Sequence, residues 1–278
     1  MTTHSIVKAK ILKILAIGAT VAVLAAGFAV AQQPAATPYE PKRGQIGKDV
    51  MWIPTPDSLV GKLLDMAKVT RDDTVIDLGS GDGRMVIAAA KRGAKAIGIE
   101  YNPNLVEFAK QAAAKEGVTA TFIHGDIFKE DFTHATVLTL FLLDELNLQL
   151  RPIILNMKPG TRVVSNTFTM GDWTPDEIVR PGPNCGAYCQ GFFWTVPAKV
   201  EGTWQTPGNG ELILFQSFQM LTGSFRTPYG EVNVIGKLTG NDMTLLAGGV
   251  TYVGKVDGNA ITATGKSGTG DVTLKATR

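Results

Sequence analysis

The stretch Val75-Ile76-Asp77-Leu78-Gly79-Ser80-Gly81-Asp82-Gly83-Arg84 follows an apolar run with an acid and then spaces three glycines one residue apart. Glycine reaches backbone angles closed to other residues and lets a ligand approach the main chain. A helix-like stretch, Met85 to Lys91, follows at once. The segment therefore reads as strand, tight turn and helix start, and the N–H groups at that start are expected to face a ligand. Spacing narrows the ligand. A dinucleotide fingerprint needs glycine at the first, third and sixth places. Counting from Gly79, the sixth place is Arg84, which disfavours a nicotinamide dehydrogenase. No Gly-Lys-Ser/Thr ending follows either, which argues against a phosphate-gripping loop.

Two further acids sharpen the pattern. Glu100 closes the next apolar run, in Gly98-Ile99-Glu100-Tyr101-Asn102, and a carboxylate there can accept hydrogen bonds from both hydroxyls of a ribose. Asp126 follows a third run, in His124-Gly125-Asp126-Ile127. It could accept from an adenine amino group while Ile127 packs on the base. Each acid alone reads equally well as a solvated loop residue. All three fall at the C-terminal ends of expected strands, where open parallel sheets bind ligands.

The elements that must position these residues follow from periodicity. Ser58–Lys68 has helical spacing, with Leu59, Leu63, Leu64 and Ala67 on one face. Strands are expected at Thr74–Leu78, Ala94–Ile99, Thr119–His124, Thr136–Leu143 and Arg162–Thr169. Helices are expected at Arg84–Arg92, Pro103–Glu116 and Leu146–Met157, the last kinked or split by Pro152. This alternation predicts an α/β fold: a Rossmann-like, mostly parallel sheet with helices on both faces. After about residue 198 no long helical stretch remains. Gly236-Lys237-Leu238-Thr239-Gly240-Asn241 matches Gly254-Lys255-Val256-Asp257-Gly258-Asn259 at an offset that suits one strand–turn–strand unit. A small C-terminal antiparallel β-domain, a meander or partial barrel, is expected there. The resulting division is 1–31 leader, 32–48 linker, 49–198 sheet domain and 199–278 β-rich repeats.

The order Asp77-x-Gly-x-Gly-x-Gly, then Glu100, then Gly125-Asp126 resembles the seven-strand S-adenosylmethionine-dependent methyltransferases. Ile53-Pro54-Thr55-Pro56, the Asp77–Arg84 run, Phe141-Leu142-Leu143 and Gly160-Thr161-Arg162-Val163-Val164-Ser165 look like one subgroup. That subgroup is the protein-lysine methyltransferase family containing the mitochondrial ATP synthase c-subunit enzyme. The likeness runs from about Met51 to Trp173. It implies S-adenosyl-L-methionine as cofactor, with Asp77, Gly79 and Gly81 at its methionine part, Gly83 also among the cofactor-binding residues, Glu100 at its ribose, and Asp126 and Ile127 at its adenine. It also implies that Pro54, Thr55 and Pro56 form a lid, where an ordinary turn into a helix is the other reading. The implied methyl acceptor is a protein lysine. Asp144 and Glu145 are candidates to orient its amine, although acids in a first helical turn are equally explained by the helix dipole. Trp52, Phe168 and Trp173 could line an amine channel by cation–π contact, with core packing the plainer reading.

The chain has 278 residues and a formal charge of +2. Lys8, Lys10 and Lys13 precede the uncharged run Ile14–Val30 and the small-x-small triplet Ala29-Val30-Ala31, the order of a secretory signal. Without those lysines the body is close to neutral, which gives no nucleic-acid footprint. An exported protein, periplasmic or secreted, is expected. The alternative is an anchor through residues 14–30, with membrane contact confined to that segment. Cys185 and Cys189 either pair in an oxidising compartment or remain free thiols. Without nearby histidines they make a poor metal site, and no metal is expected. The competing function is an exported scaffold or partner-binding module that keeps the sheet but not the catalysis. The sequence leaves the oligomeric state open.

Overall fold

A computed structural model describes residues 39–182, 185–268 and 270–278; the leader and residues 32–38 of the expected linker lie outside the described residues. Helix α1 (Asp57–Met66) opens the sheet domain. Then β1 (Thr74–Leu78), α2 (Arg84–Lys91), β2 (Lys95–Glu100), α3 (Pro103–Lys115), β3 (Thr121–His124), β4 (Val137–Leu140), α4 (Asp144–Ile154) and β5 (Arg162–Asn166) alternate as the periodicity predicts. Two more strands, β6 (Glu177–Val179) and β7 (Gly191–Thr195), complete a seven-stranded sheet ordered β3-β2-β1-β4-β5-β7-β6. Strands β1 to β5 pair in parallel, and β7 runs antiparallel to both β5 and β6.

Each strand sends alternate residues to opposite faces, so both faces need cover. One face carries α1, α2 and α3, through residues such as Leu59, Leu63, Val86, Val106 and Ala109, packed with Val75 and Val164. The other carries α4 and the Trp173 region, packed with Ile76, Leu78, Leu138 and Val163. Helix α3 starts sharply because the Asn102 side chain accepts from the amides of Asn104 and Leu105, and Pro103 fills the first helical position. A cap of this kind stabilises by about 1 kcal/mol.

Several expected boundaries move. The apolar run to Leu143 leaves the sheet after Leu140, and residues 141–143 form the connection into α4. Helix α4 starts at Asp144 rather than Leu146 and contains Pro152 without ending there. Strand β5 stops at Asn166, where Thr167 adopts a left-handed φ of 64°.

Beyond Thr195 the chain forms β8 (Gly202–Thr206), β9 (Gly210–Ser217), β10 (Met220–Thr227), β11 (Gly230–Thr239), β12 (Asp242–Ala247), β13 (Val250–Asp257), β14 (Ala260–Ser267) and β15 (Gly270–Thr277). These close into a barrel, a fuller closure than a meander. Trp204, Leu212, Leu214, Leu238 and Leu245 fill its interior. The matched repeats are successive hairpin units: Gly240-Asn241 turns β11 into β12, and Gly258-Asn259 turns β13 into β14, with both glycines left-handed. The barrel is tied to the sheet domain. Phe218 stacks on Trp173 at 6.0 Å, Gln219 Nε2 donates to the Thr174 carbonyl, and Lys237 pairs with Asp176 at 2.8 Å.

Candidate active site

The sheet order reverses between β1 and β4. The crevice at this switch point, beyond the C-terminal strand ends, is where open α/β sheets bind ligands. It holds a cavity of about 230 Å³. Asp77, Gly79, Gly81, Glu100, Asp126 and Ile127 all line it, so residues spread over 50 positions of sequence meet there.

The glycine turn is shaped for close approach. Gly79 and Gly81 have φ of 80° and 52°. A Cβ at Gly79 would lie 3.1 Å from Leu142, and one at Gly81 would run into the Trp52 indole. Gly83 does a different job. It caps α2 and faces inward, where a Cβ would meet Ala109 and the Phe122 ring at 2.8 Å. It is not among the residues that line the cavity. Most amides of the turn itself are already engaged: Gly79 and Ser80 donate to the Ile99 carbonyl, Gly81 to Glu100 Oε2 at 2.8 Å, Gly83 to the Ser80 carbonyl, and Arg84 to Asp82.

What the site offers instead is carboxylate. Asp77 is buried at the end of β1, and the parallel register sets Thr139 of β4 opposite it. Thr139 Oγ1 donates to Asp77 Oδ1 at 2.5 Å. Burial pushes the Asp77 carboxyl up to about 7; the Thr139 hydrogen bond opposes this, and the nearby charges of Glu100 and Asp82 add to it. Glu100 accepts from the amides of Gly81 and Asn102, one on each oxygen. A carboxylate has about four acceptor positions, so room remains for ligand hydroxyls. Asp126 accepts from the Phe128 amide and from Lys48 Nζ at 3.1 Å, which together hold it below the usual carboxylate range. Arg84 is engaged by Asp82 and Asp57. Among the described residues no cation pairs with Asp77 or Glu100, so these two leave the cavity complementary to a positively charged ligand.

The lid expectation divides. Pro54 and Thr55 line the cavity, whereas Pro56 caps α1 and does not. Arg84 Nη1 donates to the Thr55 carbonyl at 2.8 Å, fastening that segment to the glycine turn. The residue that breaks the dinucleotide fingerprint thus has a structural role of its own. Trp52 and Phe168 line the cavity, but Trp173 is fully buried against Trp194 and Phe218. Asp144 and Glu145 do not line it. They occupy the first turn of α4, where Asp144 Oδ1 accepts from the amide and hydroxyl of Thr169 and so braces the loop after β5.

Other lining residues carry no signal that sequence patterning reads. Lys48, within the expected linker, reaches Asp126 and lies 5.1 Å over the Tyr101 ring. Tyr188 enters from the loop closed by a Cys185–Cys189 disulfide, the paired alternative for those two thiols.

Residues 77–177 match the family described as the ANTKMT methyltransferase domain. A protein-lysine N-methyltransferase of Saccharolobus islandicus is 43% identical over 136 residues, which cover 47% of this chain and 84% of that one. The lysine N-methyltransferase of the ATP synthase c-subunit from Homo sapiens is 34% identical over 134 residues, and there the match spans only 57% of its length. A solved RNA methyltransferase from Salinibacter ruber, in complex with S-adenosyl-L-homocysteine, shares 43% identity at a TM-score of 0.50. That match covers 53% of this chain and 96% of that one. The unpaired carboxylates suit the cationic cofactor of such enzymes, and the unpadded glycine turn leaves room for it. With the archaeal relative matched over most of its length, the chain belongs to the family of S-adenosylmethionine-dependent methyltransferases that contains that enzyme.

Proposed function

We propose that this methyltransferase modifies lysine side chains of proteins. The observation that carries the reading is a cavity lined by two unlike sets of residues, in a chain whose relatives include named lysine methyltransferases. One set is acidic: Asp77, Glu100 and Asp126. The other is apolar: Leu140, Phe141, Leu142, Leu143, Leu146 and Phe168.

The cofactor supplies a methyl group on a positively charged sulfur. In our assignment Asp77 receives the ammonium of its amino-acid part, and Gly79 and Gly81 let that part lie against the main chain. Glu100 takes the ribose hydroxyls on its remaining lone pairs. Asp126 accepts from the adenine amino group, with Ile127 against the base. Thr55 and Pro54 cover the site. Methyl transfer is an in-line displacement, so positioning is the protein's main contribution. An amine attacks only through a free lone pair. Desolvation at the transfer position beside the cofactor lowers the ammonium's pKa, which favours the neutral nucleophile there. Asp144 acts at one remove, by bracing Thr169 next to Phe168.

We also place the enzyme outside the cytoplasm, with membrane contact confined to its N-terminal segment. The leader pattern motivates this, and the Cys185–Cys189 bridge is the kind of bond that persists in oxidising compartments. The name of the solved relative raises RNA as the competing acceptor. The near-neutral body and the acidic cavity argue against it.

The test is incubation of the purified protein with methyl-tritiated cofactor and, separately, with cell-envelope proteins and total RNA. Acid hydrolysis of the protein arm should release labelled methyl-lysine. Label in RNA, or in no acceptor, would sink the lysine reading. A reporter fusion after residue 278 tests the location, and activity only in a cytoplasmic reporter would refute export.

A further inference from the structure

Phe141, Phe168 and Tyr188 form a closed group of three rings in the lining of the cavity. Their centroids lie 6.0 Å (Phe141–Phe168), 5.8 Å (Phe141–Tyr188) and 6.2 Å (Phe168–Tyr188) apart. All three line the cavity, and Tyr188 remains 37% exposed, so the group is no sealed core. The rings come from three places distant in sequence: the turn after β4, the turn after β5 and the loop before β7.

The backbone is held in an unusual state at two of these places. Tyr188 has a φ of 60°, and Thr167, just before Phe168, has a φ of 64°. Bulky and β-branched residues rarely adopt this region, and strain of this kind gathers at ligand sites where surrounding structure enforces it. The enforcement is visible. The Cys185–Cys189 disulfide closes the loop that carries Tyr188. The Thr167 amide donates to the Gln190 carbonyl at 2.7 Å, tying the two turns together. Residues 185–189 lie beyond the stretch that matches the family, 77–177.

We infer that Phe141, Phe168 and Tyr188 are the seat for the cationic side chain of the methyl acceptor, and that the Cys185–Cys189 bridge completes this seat by presenting Tyr188. Aromatic faces attract ammonium groups, most strongly when the cation is methylated and poorly solvated. The rings would hold the stem and head of a lysine, and would grip its methylated forms at least as well. The inference rests on the lysine reading above and assigns the residues that select the acceptor.

The probe is Nε-trimethyl-lysine, compared with its neutral tert-butyl isostere, each titrated into the full chain saturated with S-adenosylhomocysteine. Saturation is checked first by calorimetry; failure of the cofactor product to bind would overturn the methyltransferase site itself rather than the seat. The cation should bind about fivefold or more tighter than the isostere. Tyr188→Phe should keep that preference and Tyr188→Leu should erase it. Reduction of the bridge by a phosphine, which takes up two electrons and two protons to give two thiols and leaves the phosphine as its oxide, should also erase it, as should Cys185→Ser with Cys189→Ser. Equal binding of cation and isostere, binding of neither, or a preference that survives Tyr188→Leu would overturn the seat. A preference that survives both reduction and the double serine variant would overturn the role of the bridge.

Discussion

The sheet domain and the barrel use glycine for opposite ends. In the sheet domain Gly79 and Gly81 keep side chains out of a cavity, so that main chain stays open to a ligand. In the barrel, Gly223, Gly236 and Gly254 lie where a Cβ would collide with backbone of the neighbouring strand, at Ile213, Thr244 and Thr262. There the missing side chain lets strands coil tightly around a filled interior. Acids differ in the same way. Asp77 is buried without a cation, whereas barrel acids such as Asp242 and Glu211 pair with Lys255 and Arg226 at the exposed surface. One region carries unfavourable local choices for the sake of a ligand; the other satisfies its groups and packs. Local conflicts with the rules of stable folding are where function is to be sought.

The largest expected effect tests whether the two regions are separable. Trp204 is fully buried in the barrel and donates Nε1–H to the Val200 carbonyl at 2.8 Å. Trp204→Ala should cost about 3–5 kcal/mol. Calorimetric unfolding should then show an early transition, while S-adenosylhomocysteine still shifts the later one. Loss of that ligand response would mean that the barrel props the site as well as adjoining it.

Next in size is Glu100→Ala, which should weaken cofactor binding by about 1–3 kcal/mol. Two amides, those of Gly81 and Asn102, lose their acceptor at the same time. An unchanged dissociation constant would remove Glu100 from the ligand's contacts.

A smaller effect follows from Asp77. Its carboxyl is raised to about 7, so the folded protein holds a proton that the unfolded chain has already released above the ordinary aspartate range. The contribution of this group to stability therefore falls as pH rises from that range through 7. A cationic ligand needs the ionised form, so cofactor affinity should rise as pH climbs towards 7 and fall by up to about tenfold per pH unit below 7. Asp77→Asn keeps an acceptor for Thr139. It should raise the melting temperature of the ligand-free protein at pH 8 and weaken cofactor binding. A variant that melts lower and binds equally well would contradict both signs.

The sequence makes the acidic set of site residues readable because glycines and strand-end acids are local signals. Asp77, Glu100 and Asp126 each announce themselves within a few residues. The aromatic set is not readable in that way. Phe141 belongs to an apolar run that continues a strand pattern, and only the structure turns it out of the sheet after Leu140. Tyr188 meets it through β6 and β7, a reversal of chain that no short window contains. Lys48 sits in a stretch without periodicity, and its tie to Asp126 spans 78 positions. Gly83 shows the converse error. Its spacing fits the ligand motif, but its contacts with Ala109 and Phe122 come from α3 and β3. In the barrel the hairpin repeats are local and legible, whereas closure depends on β15 finding β8 across the whole domain.

That closure rests on a narrow seam. Strand β15 meets β8 at the Thr277–Gln205 pair. Arg278 spans the join, donating to the Glu201 and Lys199 carbonyls at 2.8 and 2.9 Å with its guanidinium 4.4 Å from the Trp204 ring. A strand edge with unpaired amides is a template for another chain's strand. In the seven-stranded sheet the outer strands are β3, of four residues, and β6, of three, both too short to recruit a neighbour readily. Were the arginine clasp lost, β15 would become an eight-residue sticky margin, and self-association rather than unfolding would be the first symptom.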